Sequence, residues 1–131
     1  MRYLLDTNAC IVYLNRPISA VRQRLESLSP ADIVCSVVKA ELFYGAMRSN
    51  NPTRTLALQE AFLNNFVFLP FDDRASRIFG TIRAELGMLG TPIGPNELQI
   101  AAIALVNKLT LVTHNTREFS RVSGLVIEDW E

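Results

Sequence analysis

The sequence predicts an α/β protein built on a central, mostly parallel sheet covered by helices on both faces. Short apolar, β-branched runs alternate along the chain with segments of helical period, the pattern of successive strand–helix units. The runs read as strands buried on both faces, as parallel sheets require. No internal repeat, low-complexity tract or linker interrupts the alternation. The 131 residues, 49% of them hydrophobic, suit one domain spanning 1–131 with a core of its own.

Each element has a local reason. "RYLL" at 2–5 is a short strand ending at Asp6, and "ACIVYL" opens a helical pattern for which Asn8 is the expected cap. Pro17 restarts the chain, and "ISAVRQRLESL" repeats its apolar residues at Ile18, Val21, Leu25 and Leu28. "DIVCS" reads as the second strand. Ser36 is placed to cap a helix over "VVKAELFYGAMRS", and "TRTLALQEAFLNNF" gives another after Pro52. "VFLPF" is strand-like, and "DDRASRIFGTIRAELGMLG" is helical with a glycine-rich end. Pro95 and Asn96 look like the start of a helix over "ELQIAAIAL", "LTLVT" follows as a strand, and "LVIEDW" supplies a short edge strand.

Thirteen basic residues balance thirteen acidic ones, so any nucleic acid must be held by a local basic patch and not by bulk charge. Cys10 and Cys35 sit in apolar surroundings without CxxC spacing, as free buried thiols of a reducing compartment do. The opening "MRYLLDTN" is too short and too polar for a signal peptide, and no apolar run reaches the length of a membrane span. The expectation is a cytoplasmic protein with no membrane partner.

Three carboxylates stand in settings otherwise built for burial. Asp6 ends an apolar strand; Glu41 shares its helix face with Val37, Val38, Tyr44 and Gly45; Glu97 shares its face with Ile93, Ile100 and Ala101. Glu97 alone has an ordinary reading, since an acid in the first helical turn gains roughly 0.3–1 kcal/mol from the dipole and the unpaired N–H groups. Three unpaired buried carboxylates would instead cost several kcal/mol apiece, so a positive partner is expected. Hard oxygen donors suit Mg²⁺ or Mn²⁺, whereas zinc recruits His or Cys. The single histidine, His114, reads as a packing or hydrogen-bonding residue. An acid-held Mg²⁺ serves phosphodiester hydrolysis, because the ion makes bound water nucleophilic and stabilises charge on the phosphate.

The segments "LLDTN" at 4–8, "SVVKAELFYGA" at 36–46, "IGPNELQIAAIAL" at 93–105 and "LVTHNTREFSRVSGLVIEDW" at 111–130 together resemble the PIN-domain ribonucleases, in particular the VapC toxins of bacterial toxin–antitoxin pairs. The resemblance runs in order from residue 3 to residue 130. It implies a PIN-like three-layer α/β/α fold and a Mg²⁺-dependent endoribonuclease, with Mn²⁺ as an alternative ion. It assigns Asp6 and Glu41 as metal-binding acids and Glu97 to a position where the family usually has Asp. Asn8 and Thr7 match polar residues beside the site. Where many members carry a fourth acid this chain has Asn115, and Glu118, one helical turn on, is its candidate replacement; a solvated charge beside Arg117 and Arg121 is the ordinary reading of Glu118. The resemblance further implies a structured RNA target, with the anticodon stem-loop of initiator tRNA as a candidate. It also implies a homodimer silenced by a VapB-type antitoxin in a larger assembly.

Arg48, Arg54, Arg117 and Arg121 are candidates for phosphate contacts, and Tyr44 or Phe43 for packing on a base, with Phe43 better suited to the core. Leu56, Leu58, Phe62 and Leu63 are candidates for antitoxin or dimer surfaces, set against packing within the domain. A phosphoryl-accepting enzyme of the haloacid dehalogenase kind is disfavoured, because the second Asp it needs two residues after Asp6 is Asn8. A PIN-like module that binds RNA or antitoxin without efficient cleavage is the alternative that the longer Glu97 and Asn115 support.

Overall fold

Strand β1 (Tyr3–Leu5) runs at the centre of a five-stranded sheet, with β2 (Ile33–Cys35) and then β3 (Val67–Phe68) on one side, and β4 (Thr110–Val112) and then β5 (Ile127–Glu128) on the other. Every neighbouring pair is parallel, as the alternation of runs requires. The computed structural model describes residues 1–131. β1 and β2 are wholly buried, and the two residues of edge strand β3 are exposed. Each fully buried Leu or Val of the central strands contributes about 1.5–3 kcal/mol from loss of apolar surface to water.

The helices are α1 (Thr7–Asn15), α2 (Ala20–Glu26), α3 (Val38–Met47), α4 (Pro52–Leu63), α5 (Asp73–Met88), α6 (Pro95–Val106) and the short α7 (Thr116–Phe119). From β1 the chain steps outward to β2 and β3, then crosses back to β4 on the other side of β1. Right-handed crossovers in opposite directions place their helices on opposite faces. Accordingly α1 packs with α2, α3 and α4, while α5 packs on α6. Connections therefore diverge between β1 and β4, and such a switch point opens a crevice beyond the carboxyl ends of its two strands.

Helix α6 carries six buried residues, Leu98 and Ile100 to Ala104, so it is a core helix apolar nearly all round. Its first turn, with Glu97, is the part that reaches the crevice. The C-terminal tail is tied down by Trp130, which meets Tyr3 edge-on at 5.2 Å.

The caps differ from the expected ones. Helix α1 is capped by Asp6 and not Asn8, because the extended backbone of Asp6 lets its carboxylate accept the Ala9 N–H. Helix α3 has Val37 and not Ser36 at its N-cap, with no side-chain cap, and the buried Ser36 hydroxyl has no hydrogen-bond partner. Gly94 is the N-cap of α6, and Pro95 and Asn96 are its first two residues, the helix start expected of them. Ser19 caps α2 and leaves Ile18 outside it, 90% exposed and off the apolar face proposed for it.

Candidate active site

Asp6 stands where β1 turns into α1, directly at the switch point. Its Oδ1 accepts the Ala9 N–H at 2.8 Å and its Oδ2 accepts the Thr113 hydroxyl at 2.5 Å. Thr113 is the residue after β4, buried, and its oxygen accepts the Asn115 N–H at 2.9 Å. The two central strands are thus joined just past their ends by a carboxylate. Burial lifts the Asp6 carboxyl above the usual aspartate range; the Thr113 and Ala9 donors pull it down without reversing the shift, and the charges of Glu131 and Glu41 push it further up. A buried acid in this state gains from a nearby cation.

Glu41 lies in the first turn of α3, half-buried, and the Thr7 hydroxyl donates to its Oε1 at 2.9 Å. Adjacent residues of the β1–α1 turn therefore place two acids: Asp6 offers its own carboxylate, and Thr7 holds that of Glu41. Glu97, half-buried, is the third residue of α6. All three acids line one open cleft of about 510 Å³, together with Asn8, Asn96, Asn115 and the exposed Tyr44 and Arg48. Arg48 is the one cationic side chain in that lining.

The donor set fits a hard divalent cation, being oxygen throughout, anionic, partly buried and without His or Cys. The acids do not converge fully: oxygens of Asp6, Glu41 and Glu97 are not all within 4.8 Å of one another. The Glu97 carboxylate lies against Gly94 at the start of its own helix.

The other proposed site residues divide. Asn8 is exposed on the cleft. Glu118 is absent from its lining but accepts the Asn115 side-chain N–H at 3.0 Å, so it touches the site through Asn115. Arg117 and Arg121 do not reach the cleft, and Arg121 donates to the Pro92 carbonyl at 2.9 Å. Arg54 is exposed on α4, also outside the cleft. Phe43 packs against the core, as do Phe62 and Leu63, which are buried.

Thr113 is the residue at this site that sequence reading missed. Its signal was a polar side chain closing the apolar run "LTLV" at the same sheet edge as Asp6. His114 is exposed and bonds Asp129 at 3.0 Å, a hydrogen-bonding residue as expected. That bond, with the charge of Glu131, raises its pKa.

A parallel sheet with an oxygen-only acidic cleft at its switch point suits α/β hydrolases that use a hard divalent cation, among other classes. Comparison with known proteins narrows the choice. The family model described as PIN domain matches residues 3–125. The chain is 42% identical to the tRNA(fMet)-specific endonuclease VapC of Shigella flexneri over 99% of this chain and 98% of that protein. It is similar to the solved structure of DNA-bound VapBC from Salmonella typhimurium, with a TM-score of 0.94 at 39% identity, covering 100% of this chain and 99% of the other. It is also similar to VapBC2 from Rickettsia felis bound to a promoter DNA fragment, with a TM-score of 0.93 at 34% identity and full coverage of both chains. The chain belongs to the PIN-domain family, among its VapC ribonucleases.

Proposed function

We propose that this protein is a Mg²⁺-dependent endoribonuclease toxin that cleaves structured RNA in the cytoplasm and is silenced by a VapB-type antitoxin. The observation that carries the reading is the meeting of Asp6, Glu41 and Glu97 in one open cleft whose lining has a single cationic side chain. The bound ion, Mg²⁺ or Mn²⁺, would activate water and offset charge on the phosphate.

The chain's own residues do the rest. Thr113 and the Ala9 N–H fix both oxygens of Asp6, and Thr7 fixes Glu41, so two of the three acids are pre-oriented. Asn8, Asn96 and Asn115 present amides to the cleft, where they can orient water or a phosphate oxygen. Glu118 holds the amide of Asn115. Arg48 is placed to meet a phosphate, and Tyr44, 63% exposed with the Arg48 guanidinium 5.3 Å from its ring centre, to stack on a base. Arg117 and Arg121 would contact only RNA that extends past the cleft. The names of the Shigella and Salmonella relatives support initiator tRNA as the substrate.

A second groove of about 680 Å³, with a mixed lining in which Leu14, Leu42, Leu58 and Phe62 supply apolar surface, shares Ile11, Glu41 and Gly45 with the cleft. An antitoxin segment seated there can reach and cover the acids, and the VapBC complexes support that partner. A homodimeric toxin within a larger assembly is part of the same proposal. No helix is long and apolar enough to cross a membrane.

The competing reading, a PIN module that binds without efficient cleavage, draws on the position of Glu97 over Gly94. Cleavage of an anticodon stem-loop by antitoxin-free protein over a Mg²⁺ titration decides between them. Metal-dependent cleavage abolished by Asp6→Asn in a folded protein supports the enzyme. Equal RNA binding by both proteins with no cleavage by either supports the module.

A further inference from the structure

Gly94 is the N-cap of α6, a position where Asn, Asp and Ser lead for their side-chain acceptor and Gly ranks about level with Thr. Its backbone gives no reason for glycine: φ is −61° and ψ 151°, open to any residue, unlike Gly90 and Gly124 with φ of 71° and 81°. Space gives one. A Cβ at residue 94 would collide with Oε2 of Glu97 and stand 3.2 Å from its Cδ and 3.8 Å from Oε1, whereas a Cβ at Gly45, Gly80 or Gly87 meets nothing within 4 Å.

The side chain that fills this space is one of the three acids of the cleft, and the only one of them with no side-chain hydrogen-bond donor to hold it. Three carboxylates around one cleft repel each other without a cation. The start of α6, where N–H groups are unpaired and the dipole is positive, favours an anion. Glu can reach back from the third helical position toward the cap; Asp, one methylene shorter, cannot reach as far.

We infer that Glu97 is a two-position carboxylate and that Gly94 is the positioning residue that admits its second position. Without metal Glu97 lies back over Gly94; with a divalent cation it moves toward Asp6 and Glu41. This rests on the metal-dependent reading above. Metal must then draw Glu97 off its resting place, so apparent affinity is reduced by the fraction of molecules in the binding-competent position. Blocking the resting place should tighten metal binding.

The test uses the full chain without antitoxin. Mg²⁺ is titrated into ¹⁵N-labelled wild type and Glu97→Asp, and Mn²⁺ affinity is measured by calorimetry for both, with and without Gly94→Ala. In wild type the Gly94 amide should shift with the same midpoint as the amides around Asp6 and Glu41, and in Glu97→Asp it should stay nearly still. Gly94→Ala should tighten Mn²⁺ binding by about three- to tenfold when residue 97 is Glu, and have no effect when it is Asp. Shifts around Asp6 and Glu41 with an unmoved Gly94 amide overturn the inference and leave the metal site standing. So does a Gly94→Ala effect equal in the two backgrounds. If Gly94→Ala fails to fold, the two NMR titrations decide alone. No metal-induced shift around Asp6 or Glu41 overturns the metal reading and this inference together.

Discussion

The hydroxyl of Thr113 donates to Oδ2 of Asp6 at 2.5 Å across the point where the chain's connections part, joining residues 107 positions apart. With the Ala9 N–H on Oδ1, this bond fixes the plane of the carboxylate. It also stabilises the charged form of an acid that burial pushes toward neutrality.

Thr113→Val keeps the shape and removes the donor. Cleavage should fall by about tenfold, and its acid limb should move to higher pH, because Asp6 loses a bond that favours its ionised form. Single-turnover rates from pH 5 to 9 check this. A loss of melting temperature with an unmoved acid limb would reduce Thr113 to a structural residue.

Asp6→Asn should stabilise the metal-free protein at neutral pH while abolishing cleavage. The folded pKa of Asp6 is raised, so the folded state holds its proton more tightly than the unfolded one. The stability this contributes is present in full below the unfolded value of 3.8 and is lost as pH rises through the folded value. At pH 7 wild type therefore carries the cost of a buried charge that Asn lacks. Thermal melts of both proteins with EDTA and with Mg²⁺ test it: the advantage of Asn should shrink as pH falls through the folded value, be gone below 3.8, and reverse with metal at neutral pH. Equal melting across the pH range would contradict the burial argument.

Glu118 and Asn115 separate charge from hydrogen bonding. Gln at 118 can still accept the Asn115 N–H, so Glu118→Gln should retain cleavage within about threefold, and Glu118→Ala should lose about tenfold through a mobile Asn115. Equal loss in both variants would make Glu118 an acid of the centre in its own right.

Lys108 offers a stability prediction away from the site. It follows α6 with φ of 54°, while Leu109 N–H bonds Ala104 O at 2.9 Å, closing the helix as glycine usually does. Gly90 closes α5 in the same way, with Thr91 N–H on Leu86 O at 2.9 Å. Lys108→Gly should therefore raise stability by about 1 kcal/mol, measured by urea unfolding, with cleavage unchanged.

The strands and helices were legible because apolar runs and helical periods are local properties of the chain. Caps were less so: Asp6 and Asn8 stand two residues apart, and only the backbone torsions decide which one leaves the helix. Glu41 and Glu97 announced themselves as charges on apolar faces. Thr113 did not, because its partner is distant in sequence, and an ordinary Thr at a strand end carries no mark of the bond it makes. Arg117 and Arg121 show the converse, since a surface charge near a motif does not reveal whether its side chain lines the cleft, and these two do not.

The central claim is that Asp6, Glu41 and Glu97 hold the catalytic metal, and crystals soaked in Mn²⁺ test it most directly. Anomalous density should appear in the cleft bounded by these three acids, with Glu97 withdrawn from Gly94. Density confined to the exposed group of His114, Asp129 and Glu131, whose ligand atoms already lie within 4.8 Å of one another, with the cleft acids bonded only to protein groups, would contradict the account.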